Sequence, residues 1–418
     1  YKINPSNRIS FNTLYNHSAD KSTRSFSGEH NTYQVTFPEI FEFRELYWLE
    51  RSLLNNMLLG QHLFGSDGVK LEWIASASVA MQREPELRYF GNEFDPRDLD
   101  DPTDDRYAIR APSEYDYPNH FFRKLSDEQF EGKLDLTFPV LHNLSKGNKI
   151  KTGILYSLKN RIFDERRYSV QEKSAENYNG DAAAFFSDEN SGVIEKDANV
   201  RNVIGNYIVD DTRASNSYIG SEKVMAIYAM GTIKPIENLD IVFGTRLENA
   251  SLPVESADSL YTAGKLSVLP SINLRYALAN KMNLRAAFTQ TVARPNLREL
   301  APFSNFDFRT GAFIVGNPKL KITSITNLDL RWEWMPRIGE ILAISTYLKS
   351  FINPIVLVNL GKSNPEFQYQ NVDKAIVYGV ELEYRKNLGF ISPALNNFKL
   401  GANLSCIYSE VNIDAEEL

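Results

Sequence analysis

The sequence lacks several features that would identify a disulfide-rich domain, a helical membrane protein or an unprocessed secreted protein. Its 418 residues include one cysteine, Cys406, which excludes an internal disulfide. No run of about 18 apolar residues is present, so no transmembrane helix is expected. The N-terminus has no basic segment followed by an apolar one, and for an exported protein this indicates a mature or truncated chain.

The sequence also lacks the motifs of common catalytic and metal sites. Its five histidines are scattered without ligand spacing. It has no G-x-S-x-G, no H-E-x-x-H and no glycine-rich phosphate loop. The net charge of −7 gives no reason to expect nucleic acid as a partner. We therefore expect no enzyme, no catalytic residues, no cofactor and no conventional metal site.

What the sequence does contain is a two-residue alternation of apolar and polar side chains. It is clearest between 282 and 349, where Leu284, Ala286 and Phe288 on one face alternate with Asn283 and Arg285 on the other. A period of two is that of a β-strand. The same phase recurs in about 13 segments, as in a strand-rich barrel or sandwich. The sequence therefore predicts an all-β fold.

The connections between the predicted strands alternate between long and short. In an up-and-down meander, alternate connections lie at the same end, so this order places all long loops at one end. Outer-membrane barrels have that asymmetry, whereas a sandwich with Greek-key crossovers does not. The long connections lie near 19–40, 84–126, 164–220, 250–264, 293–323 and 351–373, and the short ones near 65–68, 141–148, 236–238, 279–281, 336–340 and 387–396.

A run of motifs between 293 and 355 adds a family resemblance. The segments read ARPNLRELAPF (293–303), GNPKLKIT (316–323), NLDLR (327–331), GE (339–340) and FINPI (351–355). This run resembles the C-terminal half of TonB-dependent outer-membrane receptors of the type abundant in Bacteroidota. Two positions depart from the family pattern: Ala293 stands where Ser or Thr is usual, and Ile322 where Pro is usual.

The resemblance implies a transmembrane antiparallel meander β-barrel of 22 strands in the full protein. About 13 of those strands would lie in this chain. The N-terminal plug domain and its TonB-contacting segment are expected before Tyr1, with further strands after Leu418. Residues 1–418 would then be a partial barrel with long extracellular loops near 84–126, 164–220 and 293–323. Leu284, Phe288, Leu330 and Trp332 are expected to face lipid.

The resemblance also implies a function in the bacterial outer membrane. It indicates a receptor that takes up a scarce or large solute (siderophore, haem, oligosaccharide or peptide) with energy from TonB. A surface lipoprotein is a candidate partner. Because unlike ligands share this scaffold, the fold does not identify the solute. Two alternatives stay open: an outer-membrane barrel enzyme and a soluble carbohydrate-binding β protein.

Candidate ligand-binding residues lie in the long loops and at the mouth of the lumen. Long loops on a rigid scaffold commonly carry recognition residues. The alternative for each candidate is structural: the aromatic rings cap the barrel, and the charged motif residues fix a loop to the wall. An acidic stretch at 95–105 could also gather calcium ligands, although it lacks EF-hand spacing and equally suits a solvated loop. The candidates are Tyr107, Tyr115, Tyr117, Phe121, Tyr178, Phe185, Phe186, Arg294, Arg298 and Glu299.

Overall fold

A computed structural model of the chain shows a protein built almost wholly of β-strands. It describes residues 2–29, 40–65, 68–95, 106–109, 118–140, 147–171, 178–196, 202–257, 259–307, 312–362 and 366–412. In these ranges, no helix is both long and apolar enough to cross a membrane. The all-β expectation is confirmed.

The strands and helices have the following bounds. The strands are β1 (Lys2–Asn4), β2 (Asn7–Glu29), β3 (Ile40–Phe64), β4 (Val69–Asp95), β5 (Arg106–Ile109), β6 (Asn119–Pro139), β7 (Lys149–Gln171), β8 (Val193–Lys196), β9 (Asn202–Ile204), β10 (Tyr207–Asp210), β11 (Tyr218–Ile236), β12 (Leu239–Ser256), β13 (Ser259–Ala279), β14 (Met282–Ala293), β15 (Ser304–Asp307), β16 (Ala312–Val315), β17 (Thr323–Trp334), β18 (Ile341–Ile352), β19 (Ile355–Asn359), β20 (Glu366–Asn371), β21 (Lys374–Asn387) and β22 (Lys399–Asn412). The helices are α1 (Ala182–Phe185) and α2 (Leu297–Leu300), with 3-10 turns at Asp188–Asn190, Ala214–Asn216, Leu388–Phe390 and Pro393–Leu395.

One antiparallel sheet forms the wall of the molecule. Its long strands pair in chain order as β2-β3-β4-β6-β7-β11-β12-β13-β14-β17-β18-β21-β22, and β1 pairs with β2. These thirteen strands, counted over the described ranges, each have 12 residues or more. The order is an up-and-down meander, and it confirms the predicted topology.

The two faces of the wall differ in chemistry. Strand register places Phe288 beside Leu328, Ala286 beside Leu330 and Leu284 beside Trp332. This face is apolar and exposed: the Leu330 side chain is 46% accessible. A soluble sandwich would bury it, whereas a barrel in lipid presents it to acyl chains. The predicted outward set, which includes Phe288 and Leu330, therefore shares one exposed face.

The opposite face carries charges that pair across strands. Glu333 is 6% exposed and accepts hydrogen bonds from Arg285 (2.8 Å) and Arg331 (3.2 Å). Arg331 also donates to Glu383 (2.9 Å). Such partners offset the desolvation of charges that lie on a partly buried surface. We call this face the lumen face.

The wall strands run further than the alternation suggests. We expected a loop near 250–264, but β12 continues to Ser256 and β13 begins at Ser259, and the two pair throughout. The expectation was wrong because the alternation reverses its phase here. Leu252 and Val254, both 0% exposed, lie on the lumen face. Above the lipid, the outward face no longer needs apolar residues, and the lumen face is covered by polypeptide.

The same extension shortens three other predicted loops, those near 19–40, 84–126 and 164–220, whereas β14 ends at Ala293 and β17 begins at Thr323 as expected. Strand β2 continues to Glu29, β4 to Asp95 and β7 to Gln171, while β6 begins at Asn119 and β11 at Tyr218. The whole segment Tyr47 to Phe64 lies within β3. The end of the sheet that carries the long connections is here called the long-loop end. There, strand pairing continues well past the exposed apolar part of the outward face.

Candidate functional site

Two long connections at the long-loop end pack on opposite faces of the wall. The connection between β14 and β17 (294–322), here called the inward loop, packs on the lumen face. The connection between β7 and β11 (172–217), here called the outward loop, packs its aromatic rings on the other face. Six of the ten candidate residues lie in these two loops: Arg294, Arg298 and Glu299 in the inward loop, and Tyr178, Phe185 and Phe186 in the outward loop.

The inward loop crosses the lumen mouth. Near its start, Leu297 and Leu300 of α2 pack with Leu252 in a buried apolar cluster of β7, β11, β12 and β13. Further on, Phe306 packs against Phe43, with ring centroids 5.6 Å apart, in a second cluster on β3, β4 and β6. Burial of apolar area at both ends stabilises this crossing path.

A small sheet stiffens the inward loop. Strand β15 pairs with β16, β16 runs parallel to β20, and β20 pairs with β19 from the connection that follows β18. The Asn317 side chain donates to the Tyr369 carbonyl (2.9 Å), and the Asn371 side chain donates to the Asn353 carbonyl (2.7 Å). The connections after β14 and β18 therefore form one unit inside the mouth.

The motif residues hold this unit in place. Arg294 donates to Glu222 (2.8 Å) and to Glu248 on the lumen face. Asn296 and Glu299 form a capping box at the start of α2. A Cβ on Gly316 would lie 1.8 Å from the carbonyl oxygen of Ala301, so only glycine permits this approach. The motif run thus encodes the inward path of the loop.

Arg298 differs from its motif neighbours. Its guanidinium lies 4.1 Å from the Phe303 ring centroid and donates to the Phe303 carbonyl (3.1 Å). Burial lowers the pKa of Arg298 to about 10, with Arg123 acting in the same direction. The structure brings Arg294, Arg298 and Glu299 together at the mouth and gives each a structural contact. Ligand contact by these residues stays a prediction.

A cavity of about 820 Å³ lies between the inward loop and the lumen faces of β2, β3, β4, β6, β7 and β11. Its lining is strongly charged. Arg123 donates to Glu165 (2.6 Å) and lies 3.5 Å from Glu84, and Arg24 lies 3.5 Å from Glu45. A polar cavity of this size accommodates a small-molecule solute or part of a larger one.

The outward loop gathers four predicted aromatic residues into one cluster. The Tyr178 ring lies 5.9 Å from Tyr107, 5.8 Å from Phe185 and 5.3 Å from Phe90 on β4, and Phe186 lies 5.5 Å from Phe90. Tyr178 and Phe185 are each 4% exposed, and burial raises the pKa of Tyr178. Phe186 remains 41% exposed. The cluster packs the outward loop against Phe90 of β4 and Tyr107 of β5.

The other predicted residues do not join that cluster. Phe121 lies on the lumen face at 0% exposure, packed against Tyr89 and beneath Arg123. Tyr115 and Tyr117 lie outside the described residues. The acidic segment 95–105 does as well, apart from the backbone of Asp95. Over the described ranges, no group of three or more His, Cys, Asp or Glu side chains is placed to hold a metal ion.

Sequence reasoning missed several residues of the cavity and of its cover. Phe306 and Phe313 of the inward loop, and Phe43 and Tyr89 of the wall, form the second buried cluster. Tyr218 lines the cavity from β11. The reversed alternation, apolar on the lumen face beyond the lipid, is a signal for Phe43 and Tyr89 of the wall but not for the loop residues.

Known structures give the chain distant matches. The alcaligin outer-membrane receptor FauA from Bordetella pertussis is 10% identical over 97% of this chain and 61% of its own, with a TM-score of 0.42. The siderophore receptor PirA from Pseudomonas aeruginosa is 15% identical over 98% and 68%, with a TM-score of 0.46. The ferric citrate transporter FecA is 12% identical over 96% and 59%, with a TM-score of 0.48. The chain thus spans about 61% of the length of FauA.

A family match covers nearly the whole chain. No curated protein matches at a significant level. Residues 4–416 match the family model described as "TonB dependent receptor-like, beta-barrel". That match agrees with the meander, with the exposed apolar face and with the charged lumen face. The chain belongs to the TonB-dependent receptor β-barrel family of bacterial outer-membrane proteins.

Proposed function

We propose that the chain is the barrel part of a receptor that takes up a solute too scarce or too large for passive pores. TonB supplies the energy through a plug domain outside this chain, and the long-loop end faces the cell exterior. One observation carries this proposal: the inward loop is fixed across a charged lumen and bounds a cavity of about 820 Å³ there. Siderophore, haem, oligosaccharide and peptide all remain candidate solutes.

Both alternative functions fit the structure less well. A soluble carbohydrate-binding protein would bury its apolar strand face, but Leu330 and its row are exposed. An outer-membrane enzyme would need a nucleophile and a base within hydrogen-bond reach. The lumen carboxylates described above are instead engaged by arginine and lysine, for example Glu333 by Arg285. Membership of a receptor family also favours uptake.

Recognition of the solute is proposed to take place in the cavity beside the inward loop, whereas the outward loop is proposed to contact a partner protein. Among the predicted aromatic residues of the outward loop, Phe186 offers the accessible ring, while Tyr178 and Phe185 are buried in their own cluster. A surface lipoprotein is a candidate partner for the exposed apolar side chains Phe186 and Ile208. Loss of its co-purification on Phe186→Ser with Ile208→Ser would support this pairing, and unchanged co-purification would remove it.

The test of the proposed function is uptake by the full-length receptor in its own host. We expect accumulation of the solute that supports growth in wild-type cells and none in a strain lacking TonB, with equal receptor at the surface. Arg294→Ala should reduce uptake, because it frees the start of the inward loop from Glu222 and Glu248. Lys362→Ala is the control, since it removes an exposed loop ion pair to Glu366. Unchanged accumulation without TonB would refute energy-dependent transport.

A further inference from the structure

Arg298 is a partly buried cation that forms no ion pair with a carboxylate among the described residues. Its interactions there are a hydrogen bond to the Phe303 carbonyl and a contact with the Phe303 ring. Arg123, a second cation, lies close enough to oppose its charge, and Glu165, which favours that charge, is hydrogen-bonded to Arg123. Burying a charge in this way is costly unless an opposite charge meets it. The neighbourhood of Arg298 therefore favours an anion.

Two carboxylates close to Arg298 and Tyr218 are already engaged. Glu165 accepts from Arg123 (2.6 Å) and from Asn216 (2.6 Å). Asp127 accepts two hydrogen bonds from Arg161, both at 2.6 Å, and lies 3.3 Å from Lys159. Neither forms an ion pair with Arg298. These carboxylates are thus paired with other arginines, and the positive charge of Arg298 has no ion-pair partner among them.

Tyr218 supplies a second, independent indication. Its side chain is 2% exposed, and its hydroxyl hydrogen has no acceptor in the described part of the chain, although the Arg161 guanidinium lies beside its oxygen. Arg161 and Arg298 are the cations that act on this hydroxyl. A buried hydroxyl without an acceptor is uncommon in folded proteins, because no hydrogen bond replaces the one that it would donate to water. The Tyr218 hydroxyl, a donor beside two arginine side chains, is therefore suited to bind an oxyanion.

Arg298 and Tyr218 both line the cavity beneath the inward loop. We propose that together they form an oxyanion site in the lumen mouth, and that its ligand is a carboxylate. Arginine binds carboxylates through paired N–H donors, and a phenol adds a third donor. The carboxylate belongs either to the transported solute or to a polypeptide segment that enters the lumen. The proposal rests on the proposed function only in treating the lumen as a solute path.

Thermal unfolding of the purified full-length receptor tests the site, with succinate as the probe and neutral succinamide as its matched control. Tyr218→Phe removes only the hydroxyl, and Arg298→Gln removes the charge. If a solute carboxylate fills the site, succinate raises the Tm of the wild type, succinamide does not, and both variants lose the shift. We expect the Kd for succinate to rise roughly tenfold or more in each variant, as loss of a charge-assisted hydrogen bond implies.

A carboxylate from the polypeptide gives a different pattern. Succinate then has no effect, but Tyr218→Phe lowers the Tm at neutral pH, and the difference shrinks as the pH falls through the carboxylate pKa. The controls for both cases are substitutions at exposed positions, Tyr156→Phe and Arg166→Gln. Neither should alter the effect of succinate on the Tm relative to the wild type.

The direction in which Tyr218→Phe changes the Tm tests the third case, in which no carboxylate occupies the site. If nothing accepts its hydrogen bond, removal of an unpaired buried hydroxyl leaves the Tm unchanged or raises it. That result, together with no response to succinate, would overturn the oxyanion site. Because unfolding and binding need no TonB, it would leave the uptake proposal standing.

Discussion

The inward and outward loops leave the same end of one sheet and pack on its opposite faces. Phe306 of the inward loop lies 5.5 Å from the Tyr89 ring, and Tyr178 of the outward loop lies 5.3 Å from the Phe90 ring. Tyr89 and Phe90 are consecutive residues of β4, so their side chains point to opposite faces. One strand thus anchors both loops.

This comparison separates two uses of a long loop on a barrel. Beyond the lipid, both faces of a wall strand are free to bind polypeptide. A loop on the lumen face narrows the path of a solute and can contact it there. A loop on the outer face cannot narrow that path, and it offers a surface to lipid headgroups or to another protein. We therefore expect changes in the two loops to have different consequences.

The largest expected effect comes from truncating one buried ring in each loop. Phe306→Ala should lower the free energy of unfolding by about 3–5 kcal/mol, because it opens a cavity between the loop and the wall. Phe185→Ala should change the global free energy of unfolding by less than about 1 kcal/mol, because this ring packs against Tyr178 and Phe186 of its own loop. Urea unfolding of the receptor refolded into lipid vesicles measures both values, and equal losses would contradict the separation of the loops.

A smaller effect tests which face meets lipid. Leu330→Arg should destabilise the barrel by about 2–4 kcal/mol if it lies near the bilayer midplane. Asp329→Arg, one residue away on the lumen face, should cost less than about 1 kcal/mol, since water and paired charges surround it. Unfolding in vesicles compares the two. A larger cost for Asp329→Arg would reverse the assignment of the faces.

The smallest expected effect concerns the two short helices, α2 in the inward loop and α1 in the outward loop. Glu299→Ala removes half of the capping box of α2, and Asp181→Ala removes the side chain that accepts from Ala183 (2.8 Å) at α1. Each should cost about 1 kcal/mol locally. Hydrogen exchange should rise near 296–301 in the first variant and near 181–186 in the second, and solute uptake should fall only in the first. Reduced uptake in Asp181→Ala would contradict the comparison.

The wall was predictable from the sequence because lipid imposes a simple rule on it. Wherever a strand crosses the bilayer, its outward residues must be apolar, and Leu284, Phe288 and Leu330 follow that rule. Where the strands rise above the lipid, the rule no longer applies. The hairpin that contains Leu252 and Val254 was therefore mistaken for a loop, although its reversed alternation is regular.

The site was less predictable because its contacts join distant parts of the chain. Arg294 was recognised from its motif, but its partners Glu222 and Glu248 are far away in sequence. The aromatic candidates were chosen only for their place in long loops. That choice could not show that Phe121 faces the lumen while Tyr178 packs on the outer face.

The central claim is that solute passes beside the inward loop and not beside the outward loop. It can be tested in a Cys406→Ala background by attaching a bulky maleimide either at Asn305→Cys, which lines the cavity, or at Ala183→Cys, which is exposed on α1. TonB-dependent solute uptake is then measured at equal labelling and equal surface level. We expect the adduct at Asn305→Cys to block uptake and the adduct at Ala183→Cys to leave it unchanged. Full uptake with Asn305→Cys labelled would contradict the account.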